Sequence, residues 1–132
     1  MNEATPPSLA VSHVVLVGHC GFDSPGLSRW AEQVLPGVEV VRVNKQARLD
    51  AHLHGRSLLL INRVPDGRFD HGTSQDMIEA YSSRDDPPRM MLVSNYEDAQ
   101  AEAVAAGAHP GVGKNDLNSP DANQRLLDAA RA

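Results

Sequence analysis

The sequence predicts a doubly wound α/β domain built on a five-stranded parallel sheet, and three observations carry that expectation. Five short apolar runs (HVVLVG, VEVVRV, SLLLIN, RMMLVS and HPGVG) are separated by segments whose apolar residues recur at helical spacing. The best of these runs are apolar throughout, not alternating, as strands are when helices cover both faces of a parallel sheet. Strict strand–helix alternation with short links then favours right-handed crossovers that return the chain to the same sheet.

The first strand, β1, is expected at 13–18, where β-branched residues dominate. In α1, Ser24 is a candidate cap with Pro25 at the first helical position. Leu27, Trp30, Ala31, Val34 and Leu35 form its stripe, and Pro36-Gly37 ends it. β2 follows at 38–43. α2, expected over 46–54, has only a thin stripe of Ala47, Ala51 and Leu53. β3 spans 57–62. A loop with Pro65, Gly67 and Gly72 leads to α3, which begins near Thr73 and carries Met77, Ile78 and Tyr81 on one face. β4 occupies 89–94, and the alanine-rich α4 runs from 97 to 106, where Gly107 supplies a left-handed stop. β5, at 109–113, is short and poorly formed. Ser119-Pro120-Asp121 starts α5, whose buried face is Leu126, Leu127 and Ala130. Residues 1–12 read as a flexible N-terminal tail and 13–132 as a single domain.

A chain of 132 residues can bury a real core without disulfides, and 41% hydrophobic with 22% charged residues is ordinary globular usage. Twelve basic against seventeen acidic residues, with no basic run interleaved with aromatics, argues against nucleic-acid binding. Val14–Val17 and Leu58–Ile61 are far shorter than the roughly 20 residues of a membrane span. The absence of a basic n-region before a long apolar core, together with a single cysteine, Cys20, leads to the expectation of a cytoplasmic protein.

In doubly wound sheets, chemistry gathers at the carboxyl ends of the strands, here the loops starting at Gly18, Val43, Asn62, Ser94 and Gly113. At that edge LLLINRVPDG, then MMLVSNYEDAQAEAVAAGA, then Lys114 resemble strands three to five of response-regulator receiver domains, the CheY-like superfamily. The resemblance covers most of residues 13–131. It implies a flavodoxin-like strand order 2-1-3-4-5 and a place in bacterial-type two-component signal transduction and its phosphorelays. It also implies a site in which a β3 aspartate accepts phosphoryl, two acids after β1 help hold Mg²⁺, a Ser or Thr contacts the phosphoryl group and a Lys pairs with it.

Matched by position, Asn62 stands at the acceptor, and Gly18 and His19, or His19 and Cys20, at the acidic pair; Ser94 and Lys114 match the family. Gly111 replaces the usual aromatic switch residue and Asn115 the proline after the lysine. An amide is a poor nucleophile, and histidine suits softer metals than Mg²⁺. The departures imply a degenerate pseudo-receiver with no enzymatic activity, no cofactor and no resident metal. It would act by phosphorylation-independent protein–protein interaction. With no output domain after α5, a stand-alone domain would work through a surface. In this family the α4-β5-α5 face commonly supplies one, toward a signalling kinase, an output protein or a second copy.

Alternatives arise at the same edge. GHCGFDSPG sets His19 and Cys20 before a helix amino end, where Cys20 is a candidate reactive thiol for a small sensor or enzyme, against its ordinary role as a packing residue. A zinc reading recruits His19, Cys20 and His71 but lacks the paired spacing of zinc motifs. His52 and His54, two apart, read as surface residues. Asp23, Asp66 and Asp70 offer relocated acceptors, although Asp66-Gly67 is ordinary turn chemistry and Asp23 ordinary helix-entry chemistry. GVGKND fails as a phosphate loop because Ala108 and Asn115 stand where Gly and Ser or Thr are needed. No GxGxxG follows β1, and GHCGFD lacks the hydroxyls that flavin binding would ask for.

Overall fold

The strands and helices alternate as the sequence predicts. The structure is a computed structural model that describes residues 8–131. The elements are β1 (His13–Val17), α1 (Ser24–Val34), β2 (Glu39–Val43), α2 (Gln46–Asp50), β3 (Ser57–Asn62), α3 (Ser74–Ser82), β4 (Arg89–Val93), α4 (Glu97–Ala106), β5 (His109–Val112) and α5 (Pro120–Ala130), with a 3-10 turn at Lys114–Asp116. The sheet order is β2-β1-β3-β4-β5 and every neighbouring pair is parallel.

Alternate strand residues feed two cores. Val14, Leu16, Leu58, Leu60, Met91 and Val93 pack against Leu27, Trp30 and Ala31 of α1 and Leu126 and Ala129 of α5. Val15, Val17, Leu59, Ile61, Met90 and Leu92 face Leu49 of α2, Met77, Ile78 and Tyr81 of α3, and Ala103 of α4. Covered on both sides, the central strands have no polar face to present. Trp30 Nε1 donates to Asn123 Oδ1 at 2.7 Å and ties α1 to α5.

Some local expectations shift. Asp23, not Ser24, is the α1 N-cap residue, because the Ser24 hydroxyl turns back to donate to the Cys20 carbonyl at 2.7 Å. The α2 helix is a short one, and its buried residue is Leu49, with Leu53 buried just beyond it; Ala47 and Ala51 are exposed, since the branched leucines bury more apolar area than a methyl. His52 and His54 are half-buried, with the His52 ring 5.4 Å from that of His13. The α3 and α5 starts are as expected, Thr73 Oγ1 accepting from Asp76 N and Ser119 Oγ from Ala122 N, each at 3.1 Å.

Of the tail expected at 1–12, residues 1–7 lie outside the described residues. The rest is docked: Leu9 bridges to Arg131, Ala10 N donates to Ala130 O at 2.8 Å, and Val11 is buried. Arg89 Nη1 donates to the Ala129 carbonyl at 3.0 Å and also to that of Arg131, so both ends of the described chain are held at the amino edge of the sheet.

Candidate functional site

Parallel register delivers the ends of β1, β3, β4 and β5 to one edge, and there Asn62 does something an aspartate could not. Its Nδ2 donates to the Gly18 carbonyl and to the Val64 carbonyl, each at 3.0 Å, so both amide hydrogens are spent on backbone oxygens. A carboxylate at this position would meet two carbonyl oxygens with no proton to offer. Gly18 sits at φ +72°, and a Cβ there would fall 2.6 Å from Pro65 Cα, so only glycine lets the β1 and β3 loops close to this distance. Asp66 N completes the seam by donating to Gly18 O at 2.8 Å.

His19, expected at the rim, turns inward. It is fully buried, and Nε2 lies 2.8 Å from the Leu60 carbonyl, which makes Nε2 the protonated nitrogen; Nδ1 has no partner among the described residues. Burial pushes its pKa down to about 4, with the Leu60 hydrogen bond opposing and the Lys114 charge adding to the shift, so the ring is neutral at pH 7. Its carbonyl is held by Arg42 Nη2 at 3.2 Å and Asn44 Nδ2 at 3.4 Å. Cys20 is half-buried and its Sγ accepts from Asp23 N at 3.4 Å. No hydrogen bond joins it to His19, so the base and thiol of a nucleophilic pair are adjacent in sequence without being linked in space.

An ion pair at this edge is one that sequence spacing does not reveal. Lys114 Nζ and Asp23 Oδ2 are 2.7 Å apart across 91 residues, joining the β5 end to the β1 loop. The Lys114 hydrogen bond holds the Asp23 carboxyl below the usual carboxylate range, and a hydrogen bond from Cys20 adds to this. Ser94 is buried, and its hydroxyl accepts from Tyr96 N at 3.1 Å. Asn62, Arg63, Val64, Ser94, Tyr96 and Lys114 together line a cavity of about 190 Å³, with the Arg63 guanidinium 4.8 Å above the Tyr96 ring.

Gly111 and Gln100 settle the other half of the edge. Gln100 of α4 reaches the β4–β5 seam, where Nε2 lies 3.0 Å from Leu92 O, 3.1 Å from Ser94 O and 3.2 Å from Val112 O. A Cβ on Gly111 would collide with Leu92 O and with Gln100 Oε1. Beside this seam Ala101, Val104, Ala105, Pro110, Gly111 and Arg125 line a largely apolar groove of about 500 Å³ between α4, β5 and α5.

The resemblance to receiver domains implies magnesium, a hard cation that prefers several carboxylate oxygens. These residues do not fit it. Asn62 spends its donors on carbonyls, the His19 ring points away to Leu60, and Asp23 is already bound by Lys114. Among the described residues no group of three or more His, Cys, Asp or Glu side chains could hold a metal; His71, recruited for the zinc reading, lies edge-on to Tyr81 instead. The relocated-acceptor candidates are separated too: only Asp23 touches Lys114, while Asp66 and Asp70 are exposed on the third loop.

No family model and no curated protein matches the chain. Solved structures do. The signal receiver domain of a DNA-binding response regulator from Colwellia psychrerythraea 34H superposes with a TM-score of 0.63 at 15% identity, covering 89% of this chain and 96% of that one. A chain described as a response regulator from Chloroflexus aurantiacus gives 0.66 at 12% identity, over 90% and 97%. The receiver domain of a chain described as the response regulator NarL of Mycobacterium tuberculosis gives 0.61 at 18%, over 94% of each. The fold is that of a receiver domain. The strand order and the all-parallel sheet agree with it throughout.

Proposed function

We propose that this chain is a receiver-like signalling domain that works by contact with a protein partner and does not accept phosphoryl at Asn62. The observation that carries the reading is the Asn62 amide: at the position where the resemblance expects a nucleophilic carboxylate, both N–H groups are bonded to Gly18 O and Val64 O. Two further features support it. Lys114, which would meet the phosphoryl group, is engaged by Asp23. The groove over β5, with Val104 exposed, offers an apolar surface on the α4-β5-α5 face. No helix among the described residues is long and apolar enough to cross a membrane, and the reading places the domain in the cytoplasm beside a kinase or output protein.

The test is incubation with a small phosphodonor and Mg²⁺ followed by intact-mass measurement. The expected result is no added phosphoryl group; an adduct on Asn62, Asp23 or Asp66 overturns the reading. The face is tested by comparing capture of proteins from extract by the wild-type chain and by Val104→Glu, which puts a charge into the groove: the variant is expected to lose what the wild type retains.

A further inference from the structure

The Gln100 side chain has no place in the site chemistry, yet it has the densest set of backbone contacts of any side chain at this edge. Pairing shifts register between β4 and β5: from Met91–His109 to Val93–Val112 the β5 side advances one residue more, a bulge at Pro110-Gly111. A bulge leaves carbonyls without ladder partners, and a buried carbonyl without one is costly. Gln100 Nε2 lies at this bulge within hydrogen-bond distance of Leu92 O, Ser94 O and Val112 O together, the last of which also accepts from Ser94 N at 2.9 Å. The amide orientation is unambiguous, since the opposite one would set an oxygen against three oxygens. Oε1 is buried without a partner among the described residues, so the amide is positioned for its nitrogen alone. Gly111 has no room for a side chain against Leu92 O and Gln100 Oε1, and its carbonyl is fixed by Arg125 Nη1 at 2.9 Å. The amide thus draws one helix onto two strands at the bulge, while Arg125 attaches α5 to the same point.

We propose that Gln100 is a strap that holds α4 on the β4–β5 bulge and keeps the α4-β5-α5 groove in a single conformation, so that the surface is formed at all times and is not switched. The proposal rests on the reading of that groove as the docking face. Its test needs no partner, so failure of the strap and failure of the docking reading remain separate results.

The experiment is NMR on the full chain. In the wild type, relaxation dispersion is expected to be flat for α4 and β5 amides. In Gln100→Ala the same amides, Val104 and Val112 among them, should show millisecond exchange. The Ser94 amide, which donates to Val112 O, should exchange with solvent about tenfold faster, on the scale of one lost hydrogen-bond set. Gln100→Glu keeps the length and reverses the polarity, and it supplies a reading if the alanine variant does not fold. Its carboxyl can donate only when protonated, so its folded pKa is raised. Stability relative to wild type should be highest below about 4.3, the ordinary glutamate value, and fall as pH rises through the folded pKa. Exchange already present in wild-type α4 and β5, or wild-type profiles in both variants at neutral pH, overturns the strap.

Discussion

Asn62 and Gln100 perform the same task on opposite halves of the sheet's carboxyl edge, each turning a carboxamide nitrogen onto backbone carbonyls, but His19 and Asp23, whose surroundings push their pKa values down, stand in the Asn62 half. Around Asn62 stand His19, Cys20, Asp23 and Lys114; Gln100 Nε2 itself meets backbone carbonyls, with Arg125 bonded to Gly111 O and Glu97 and Asp116 lining the cavity beside it. The difference teaches that acid should act on the Asn62 half through His19 and Asp23. It also shows how a carboxamide can close an edge that a carboxylate would leave dependent on a cation, because it brings its own protons to the carbonyls.

The sharpest way to expose this asymmetry is acid titration. The folded pKa of His19 is about 4 against an ordinary 6.5, so the unfolded chain binds the extra proton first, and stability should fall as pH drops from about 6.5 through about 4. The shift corresponds to about 3 kcal/mol, measured by urea unfolding at a series of pH values. His19→Gln should flatten most of that slope. A remnant should persist from His52 and His109, which burial also depresses.

Next in size is Asn62→Asp, expected to cost about 1–3 kcal/mol at pH 7, because the carboxylate has no proton for Gly18 O or Val64 O. Equal stability of the variant and the wild type in urea melts would mean that the seam does not depend on these bonds. Asp23→Asn should cost about 1 kcal/mol or less, since both partners are partly exposed. Asp23 is depressed, so its contribution is present above the ordinary aspartate value and lost as pH falls through the lower folded value; the asparagine variant should lack that part of the acid limb. Smallest is Cys20→Ala, expected to leave partner capture unchanged and to cost about 1 kcal/mol or less in thermal melts. Loss of capture in this variant would restore the thiol reading.

The strands and helices were legible because residues covered on both faces leave uninterrupted apolar runs, as in Leu58–Ile61, and because capping residues such as Thr73 and Ser119 act locally, whereas the order of the strands in the sheet came with the receiver resemblance. The site was legible only as positions. Asn62, Ser94 and Lys114 reach one edge as expected, whereas the direction of His19 was hidden, since a histidine after a strand can face the rim or fold back onto a core carbonyl with no change in local pattern. The Asp23–Lys114 pair joins residues that no spacing rule connects. Gln100 left one trace: a long polar residue among alanines in α4, opposite a glycine in β5. Reading it required the bulge, which is a property of strand pairing and not of either segment alone.

The docking of Leu9 against Arg131, with Arg89 fastened to the Ala129 and Arg131 carbonyls, has a practical consequence. Leu9 and Arg131 meet at the floor of the sheet, a strand's length of about 17 Å from Asn62. A dye coupled beside Leu9 or Arg131 would sit away from the opposite rim and its loops.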